Sequence, residues 1–566
     1  MAKTNETGLR KQYIICAGAA ALFFLLGLLF LNHVSVGFFM DDVMYVGLGD
    51  ELVSHFQYRI PCFPSNPLCG KYPPLYPLLL GLLSLLFPSL PAGLLFLKAA
   101  GLALAVPGIF FFALWVFKRF ASENIHWSLT YLTILIAAIH ADLLFMSKEL
   151  MSESLFMSLV MFGLWKVDSI SRSSNENGPI RRSLIWLFLI GILMFYTRSI
   201  GIIFIISLFV YMIYIRQFKL LLVLGPVAAV IMFPWFWWSR YYVPAHEPMA
   251  GVMPYFVSYG YHMDAMRDFF FKGSGDLPGK ILWYTKVNFV ATLHSIESML
   301  FPSDVSHSKL FTLTSLRVSS FFAVVFVCIG IFRSFRRGEY MSFFITGYLL
   351  LVTAWPWSNK FRFMVPIAPI LIFYFLEGIM VLFSRNKRLR NIMLVLLCTV
   401  ILLSNLLWTF RMNVLPSTLF VRTFGSESKN SVHKDALLQS INWVKENVPK
   451  DAIMLVSDGG LAYYVHTGRQ ILPYRTLISS PVEDLQNMYD AATPKKHITL
   501  TSSAVKRINS LFPGRRLYQL DILSKKYLAN PEALSDLAEG VFTDNEKDGK
   551  VIIIRKLPLP TPMSLN

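Results

Sequence analysis

Two adjacent carboxylates, Asp41 and Asp42, stand directly after the first apolar run of this 566-residue chain and open a polar stretch that closes at Lys71-Tyr72-Pro73-Pro74-Leu75-Tyr76-Pro77. An ionisable pair is costly at the edge of hydrocarbon, so a pair placed there is a candidate for proton transfer, ion binding or substrate recognition. The plain alternative is two solvated loop acids. Further ionisable residues fall at the later breaks between apolar runs: His140, Asp142, Lys148, Glu149 and Glu153, then Arg198, then Lys360 and Arg362. Acids and bases gathered on one membrane face suit a phosphate-bearing substrate and a general base. A carboxylate accepts the proton of an attacking hydroxyl, and Arg or Lys neutralises and orients a phosphate. Each residue also has a structural reading. Glu153 would complement the dipole of the helix it starts, Arg198 would snorkel to headgroups, and Lys360 and Arg362 would anchor there beside Trp355 and Trp357. Lys71 would be a loop cation, and His140 with Asp142 is a weak metal signal.

The elements that must position these residues are membrane spans. With 55% hydrophobic and 15% charged residues, and with 48 Phe, 24 Tyr and 12 Trp, the chain is too apolar for an ordinary soluble protein. The formal net charge of +18 would suit nucleic acid, but residues 1–410 carry 32 Lys+Arg against 19 Asp+Glu, and the excess lies between apolar runs. That is the positive-inside pattern, and no nucleic-acid partner is expected. Apolar runs fall near 13–37, 92–117, 126–141, 150–167, 184–196, 199–215, 219–239, 311–332, 340–356, 362–383 and 391–410, giving eleven expected spans. A short proline-bracketed piece at 74–90 reads as re-entrant or interfacial. The first run has no small-residue cleavage pattern and is expected to stay as an uncleaved span. With the N-terminus cytoplasmic, the short inner segments hold 18 Lys+Arg. This topology puts the 38–73 loop, turns at 140–150 and at Thr197-Arg198, a long 240–310 loop, the turn from Trp355 to Phe361 and the C-terminal region outside.

Aromatic content argues that the 240–310 loop is an ordered binding loop or lid. From 411 onward the composition is that of a soluble domain, with a helix over 434–447, a strand over 452–457, a turn at Asp458-Gly459-Gly460 and a closing strand at 551–554. The expected fold is therefore an α-helical polytopic membrane domain, residues 1–410, followed by a small extracytoplasmic α/β domain, residues 411–566. Cys16, Cys328 and Cys398 lie in apolar runs as filler. Cys62 and Cys69 are readable either as a disulfide or as two unpaired thiols. Gly47-Leu48-Gly49 lacks the strand and third glycine of a nucleotide loop, and there is no Walker lysine loop, His-Glu-x-x-His, Cys-x-x-Cys or voltage-sensor arginine series.

Five motifs in order carry a resemblance: Asp41-Asp42-Val43-Met44-Tyr45, Lys71-Tyr72-Pro73-Pro74-Leu75-Tyr76-Pro77, the stretch from Ser147 to Phe156, Tyr196-Thr197-Arg198-Ser199-Ile200-Gly201, and the stretch from Arg362 to Pro369. In these the chain resembles the GT-C superfamily of integral-membrane glycosyltransferases, in the branch of protein O-mannosyltransferases and lipid A aminoarabinose transferases. The resemblance implies a sugar donor on polyprenyl phosphate, a lipid, glycan or protein acceptor on the outer face, and inverting transfer without a nucleotide sugar. It implies catalytic roles for Asp41, as general base, and Glu153. Asp42 remains an alternative base, because it stands where the family often has Glu. Lys71, Arg198 and Arg362 are implied for the lipid phosphate, although Tyr72 separates Lys71 from the Pro-Pro pair. Tyr45, Tyr76, Lys148 and Lys360 complete the expected substrate-binding set. No metal or other cofactor is expected to be required, and the membrane expected is the bacterial inner membrane. A ligase or polymerase of lipid-linked glycans and a lipid or solute transporter are the competing functions. A transporter should show related halves and broken helices at mid-membrane, whereas the acids here cluster at one surface.

Overall fold

The computed structural model describes residues 6–31, 36–37, 41–87, 92–122, 127–170, 177–251, 257–258, 260–272, 276–302, 318–355 and 360–413. In the C-terminal region it describes 418–421, 430–456, 461–473, 512, 515–524, 540–543 and 550–557. The membrane part is helical: α1 (Glu6–Leu29), α2 (Asp41–His55), α3 (Leu75–Ser84), α4 (Ala92–Ala103), α5 (Val106–Ser122), α6 (Trp127–Ala138), α7 (Ala141–Lys148), α8 (Glu153–Ile170), α9 (Asn177–Thr197), α10 (Ile202–Tyr214), α11 (Phe218–Trp237) and α12 (Val243–His246). It continues with α13 (Gly260–Phe271), α14 (Leu277–Leu300), α15 (Val318–Arg336), α16 (Tyr340–Ala354), α17 (Lys360–Met364), α18 (Ala368–Leu382) and α19 (Lys387–Asn413).

Among the described residues, seven helices are long and apolar enough to cross a membrane: Leu9–Leu29, Ala92–Ala121, Trp127–Lys148, Ile180–Thr197, Phe218–His246, Lys360–Leu382 and Lys387–Thr409. The chain is a multi-pass membrane protein, yet four of the eleven expected spans are not among these helices. Ser199–Tyr214 and Tyr340–Ala354 are apolar but short, α8 opens on Glu153 and carries Lys166 and Asp168, and the 311–332 run is described only from 318. The 74–90 piece is the ten-residue helix α3, too short to span. Two expected loops are helical. Residues 141–148 form the buried helix α7 rather than an open turn, with His140 as its N-cap. The 240–310 loop contains α13 and the 24-residue α14, whose Lys280, Asn288, His294 and Glu297 hid its length from hydropathy reading. Asp276 caps α14 by accepting the Gly279 N–H at 2.5 Å.

Close helix contacts rest on glycines. A Cβ on Gly81 of α3 would meet the Gly49 carbonyl oxygen of α2 at 2.1 Å, and one on Gly378 of α18 would meet the Phe326 oxygen of α15 at 1.9 Å. Backbones approach there because no side chain intervenes. About two turns beyond the start of α18, Glu377 is fully buried among Arg337 at 3.3 Å, Arg119 at 3.7 Å and Arg333 at 3.7 Å. Arg119 also binds both oxygens of Glu339, at 2.6 and 2.7 Å. This network ties α5, α15, α16 and α18 together.

The C-terminal region holds a β1 (Thr418–Val421) and β2 (Asn430–His433) hairpin, then α20 (Lys434–Asn447), β3 (Ile453–Val456), α21 (Ala462–Thr467), β4 (Gln470–Pro473), β5 (Leu517–Ser524), β6 (Gly540–Thr543) and β7 (Lys550–Lys556). Five strands make one mixed sheet in the order β4-β3-β5-β7-β6, with β3 parallel to both β4 and β5 and β7 antiparallel to its neighbours. The helix, the β3 strand and the closing strand expected from sequence are all present, and the Asp458-Gly459-Gly460 turn lies outside the described residues. The core of this domain is continuous with the segment around α2: Val36, Val43, Cys62, Leu461, Ala462 and Ile471 pack in one buried cluster. Cys62 and Cys69 are both buried free thiols.

Candidate active site

Four residues from four separate segments meet at one place. Asp41 begins α2, Glu153 begins α8, Arg198 sits between α9 and the 3₁₀ turn Ser199–Gly201, and Arg362 lies within α17. A carboxylate in the first turn of a helix complements the dipole there, which favours the starts of α2 and α8 for both acids. The Arg362 guanidinium bridges the two, donating Nε to Glu153 Oε1 and Nη1 to Asp41 Oδ2, with Nη2 at 3.3 Å from Glu153 Oε2. Arg198 Nη1 pairs with Glu153 Oε1 at 2.5 Å, its guanidinium lying over the Phe363 ring at 5.4 Å. The Tyr72 hydroxyl donates to Asp41 Oδ1 at 2.5 Å, and Lys71 stands over the Tyr72 ring at 5.3 Å.

Aromatic rings wall this cluster. Tyr45 makes edge contacts with Tyr72 and Tyr76 at 5.1 and 5.0 Å, and its hydroxyl shares a hydrogen bond of 2.9 Å with Ser152 Oγ, next to Glu153. The Tyr76 hydroxyl is buried with no hydrogen-bond partner among the described residues. Of the expected site residues, the structure thus brings together Asp41, Glu153, Arg198, Arg362, Lys71, Tyr45 and Tyr76. Two carboxylates, two guanidiniums and one ammonium leave one surplus positive charge.

The two adjacent aspartates have different surroundings. Asp41 keeps some exposure, 18% of its side chain. Burial alone would raise its carboxyl, but the charges of Arg362 and Lys71 and the Tyr72 hydrogen bond outweigh it and hold Asp41 below the usual carboxylate range. Asp42 is fully buried, accepts the Gly37 N–H at 2.8 Å and the Val43 N–H at 2.7 Å, and is pushed up to about 7 by burial, with Glu149 adding to the rise against those two N–H groups. A carboxyl raised from 3.8 to about 7 holds a proton in the folded protein that the unfolded chain has released. Apparent stability should therefore fall as pH rises between about 4 and 7. In Asp42→Asn that slope should flatten, which thermal unfolding of the purified protein across the window would measure.

Lys148, Lys360, His140 and Asp142 lie outside the four-residue cluster. Lys148 is buried at the end of α7, over the Phe145 ring at 5.4 Å, with Glu149 and Lys98 as charged neighbours. Lys360 donates Nζ to the carbonyls of Val352, Thr353 and Trp355 at 2.7, 3.2 and 2.5 Å, which caps the C-terminus of α16 and uses its three N–H groups. It thereby ties the start of α17, which carries Arg362, to the end of α16. His140 accepts the Leu143 N–H on Nδ1 and meets the Met299 carbonyl through Nε2 at 2.7 Å, so both ring nitrogens serve the backbone. Among the described residues no group of His, Cys, Asp and Glu has the arrangement of a metal site.

Sequence reading missed Lys98, Tyr72 and Ser152. Lys98 is a fully buried lysine in α4 paired with Glu149 at 2.7 Å. A lysine within an apolar run is itself a signal of an intramembrane partner. Removing one member leaves a buried charge without its counter-ion, so Lys98→Met should destabilise by about 3–5 kcal/mol, whereas Lys98→Met with Glu149→Leu should recover most of the loss. Unfolding of the single and double variants in one detergent would measure the coupling.

No protein-family model matches the chain, and no curated protein matches its sequence. Solved structures do match. The oligosaccharyltransferase of Archaeoglobus fulgidus tethered to an acceptor peptide is 13% identical with a TM-score of 0.54, over 98% of this chain and 75% of that one. The archaeal oligosaccharyltransferase AglB, also from Archaeoglobus fulgidus, in complex with an inhibitory peptide and a dolichol-phosphate is 13% identical with a TM-score of 0.53, over 99% and 76%. ArnT from Cupriavidus metallidurans bound to undecaprenyl phosphate is 12% identical with a TM-score of 0.49, over 99% and 100%. The chain has the polytopic membrane fold of the archaeal oligosaccharyltransferase.

Proposed function

We propose that this protein is a membrane glycosyltransferase that moves a sugar from a polyprenyl-phosphate donor to a lipid, glycan or protein acceptor at the outer face of the membrane. The observation that carries the reading is the bridge of Arg362 between Asp41 and Glu153, which sets a partly exposed carboxylate beside a cation of the kind that suits a phosphate. An oligosaccharyltransferase of the same fold, seen with a dolichol-phosphate, supports the donor class. In the step proposed, the acceptor oxygen attacks the anomeric carbon as the bond from that carbon to the phosphate oxygen breaks. The hydroxyl proton passes to Asp41, polyprenyl phosphate departs with the bond electrons, and the configuration inverts. Arg198, Arg362 and Lys71 hold the leaving phosphate, and the fixed donors supply electrostatic stabilisation without reorganising. A lipid phosphate is already a fair leaving group, so positioning and charge suffice and no metal is required.

In this reading the N-terminus is cytoplasmic, and the 38–73 loop and the C-terminal domain lie outside the inner membrane, as the basic inner segments favour. The test is release of free polyprenyl phosphate by the purified protein, with a panel of polyprenyl-phosphate sugars and crude membrane acceptors, in the presence and absence of chelator. Donor-dependent release that persists in chelator is expected. The absence of release from every donor would return the chain to the transporter reading, and release of a polyprenyl diphosphate from glycan-charged lipids would make it a ligase or polymerase.

A further inference from the structure

The C-terminal domain touches the acid-bearing helix at its most sensitive point. Gly37 is buried with φ of +100°, a conformation that L side chains avoid, and a Cβ there would fall 2.2 Å from the Ala462 nitrogen and 2.3 Å from the Ala462 Cα. The N–H of this same glycine donates to Asp42 Oδ2. The start of α21 therefore closes the space beside the Gly37 N–H, which among the described residues is the one backbone group outside α2 that bonds Asp42. A second attachment reaches the loop that follows α2. Ile471, on the outer edge of β4, donates its N–H to the Cys62 carbonyl at 2.8 Å, and Gln470 Nε2 reaches the Phe63 carbonyl at 3.4 Å while Arg515 holds its Oε1 at 3.1 Å. The loop so gripped bears on α2 through Pro61, whose Cγ would lie 2.9 Å from a Cβ on Gly47.

We propose that the C-terminal domain is a positioning element for α2: α21 and the outer edge of β4 hold the helix at two places, before its start and through the loop after it, fix Asp42 through Gly37, and so aim the neighbouring Asp41 at the reacting hydroxyl. Gly37 and Gln470 are the positioning residues, and neither touches substrate. The inference rests on Asp41 as the base for its catalytic consequence, but the clamp itself is a property of the fold. Asp42 faces the Lys98–Glu149 pair while Asp41 faces Arg362, so a small rotation of α2 moves one carboxylate away from the site as it moves the other. Displacements of about 1 Å in a catalytic group cost on the order of a hundredfold in rate.

The experiment uses the full-length protein in nanodiscs as wild type, Gln470→Ala, Gly37→Ala, Asp42→Asn and the Gly37→Ala/Asp42→Asn double variant. Hydrogen exchange of residues 41–49 is followed beside donor turnover. Faster exchange in 41–49 for Gln470→Ala and Gly37→Ala, with exchange in the membrane spans unchanged, is expected. Turnover should fall about tenfold or more with donor KM within about twofold, and the double variant should be no worse than the poorer single variant. Unchanged exchange over 41–49 in Gln470→Ala would overturn the clamp, also in the case that Gly37→Ala fails to fold. Losses that multiply in the double variant would overturn the route through Asp42. If the wild type shows no transfer at all, the functional reading fails, and the exchange measurement still decides whether the domain holds the helix.

Discussion

Asp41→Asn is expected to lower turnover by about a hundredfold to ten-thousandfold, the span usual for loss of a general base, with little change in donor KM. The substitution keeps the shape of the side chain and removes its capacity to take a proton. Asp41 is the better placed of the two aspartates because it reaches Arg362 and Tyr72 at the partly exposed side of α2, whereas Asp42 is enclosed and bonded to two backbone N–H groups. Asp42→Asn should therefore act through position, with a smaller loss. Paired to Arg362, Asp41 is held below the usual carboxylate range and is a weak base in the free protein. In the proposed reaction a donor phosphate would draw the Arg362 charge toward itself, so the hold on Asp41 should weaken and its basicity rise. The acid limb of turnover at saturating donor should then lie at higher pH than that of kcat/KM, since the first reports the bound and the second the free enzyme. Equal turnover in Asp41→Asn and wild type would end its role as base.

Arg362→Gln should do damage of two kinds. The rate should fall by about a hundredfold to a thousandfold, as for loss of one fixed donor to a developing anion. Stability should fall as well, by about 3–5 kcal/mol, because Glu153, only 2% exposed at its side chain, and Asp41 lose the cation between them. Arg198 still pairs with Glu153, so Asp41 is left the poorer of the two. Arg362→Lys restores the charge without the fork that spans two carboxylates, so it should recover part of the stability and little of the rate. The two effects separate by experiment. Donor KM and turnover at a temperature where all variants are folded report the phosphate contact, and unfolding in donor-free detergent reports the ion pairs. Full activity in Arg362→Gln would remove the phosphate from this corner of the protein.

Much of the site was legible because its residues are ionisable groups at the ends of apolar runs, where their cost demands a partner. Asp41, Glu153, Arg198 and Arg362 all stand at such ends and come together in space, and the order of their motifs agreed with the topology drawn from charge. Asp42, Lys148 and Lys360 looked equivalent to them in sequence and differ in space. Lys360 spends its donors on the end of α16, and Lys148 and Asp42 lie toward Lys98 and Glu149. Hydropathy counted eleven spans where seven helices among the described residues have the length and apolarity to cross, because a window average cannot see a 3₁₀ turn at Ser199–Gly201 or a helix that opens on Glu153.

Composition and charge alone establish a multi-pass membrane chain with a region of soluble composition after it, and local pattern places most of the long apolar helices, α20, β3 and the closing strand β7 within a few residues, while the other five strands carried no such signal. These are properties of neighbours along the chain: apolar length, turn residues and the sign of short loops. Which carboxylate meets which guanidinium is another kind of fact. Asp41 and Arg362 are 321 residues apart, and Ile471 reaches Cys62 across a comparable distance. No periodicity encodes such pairs. They exist because buried charges and backbone groups must find partners once the helices pack, and only the packed helices decide which partners are within reach.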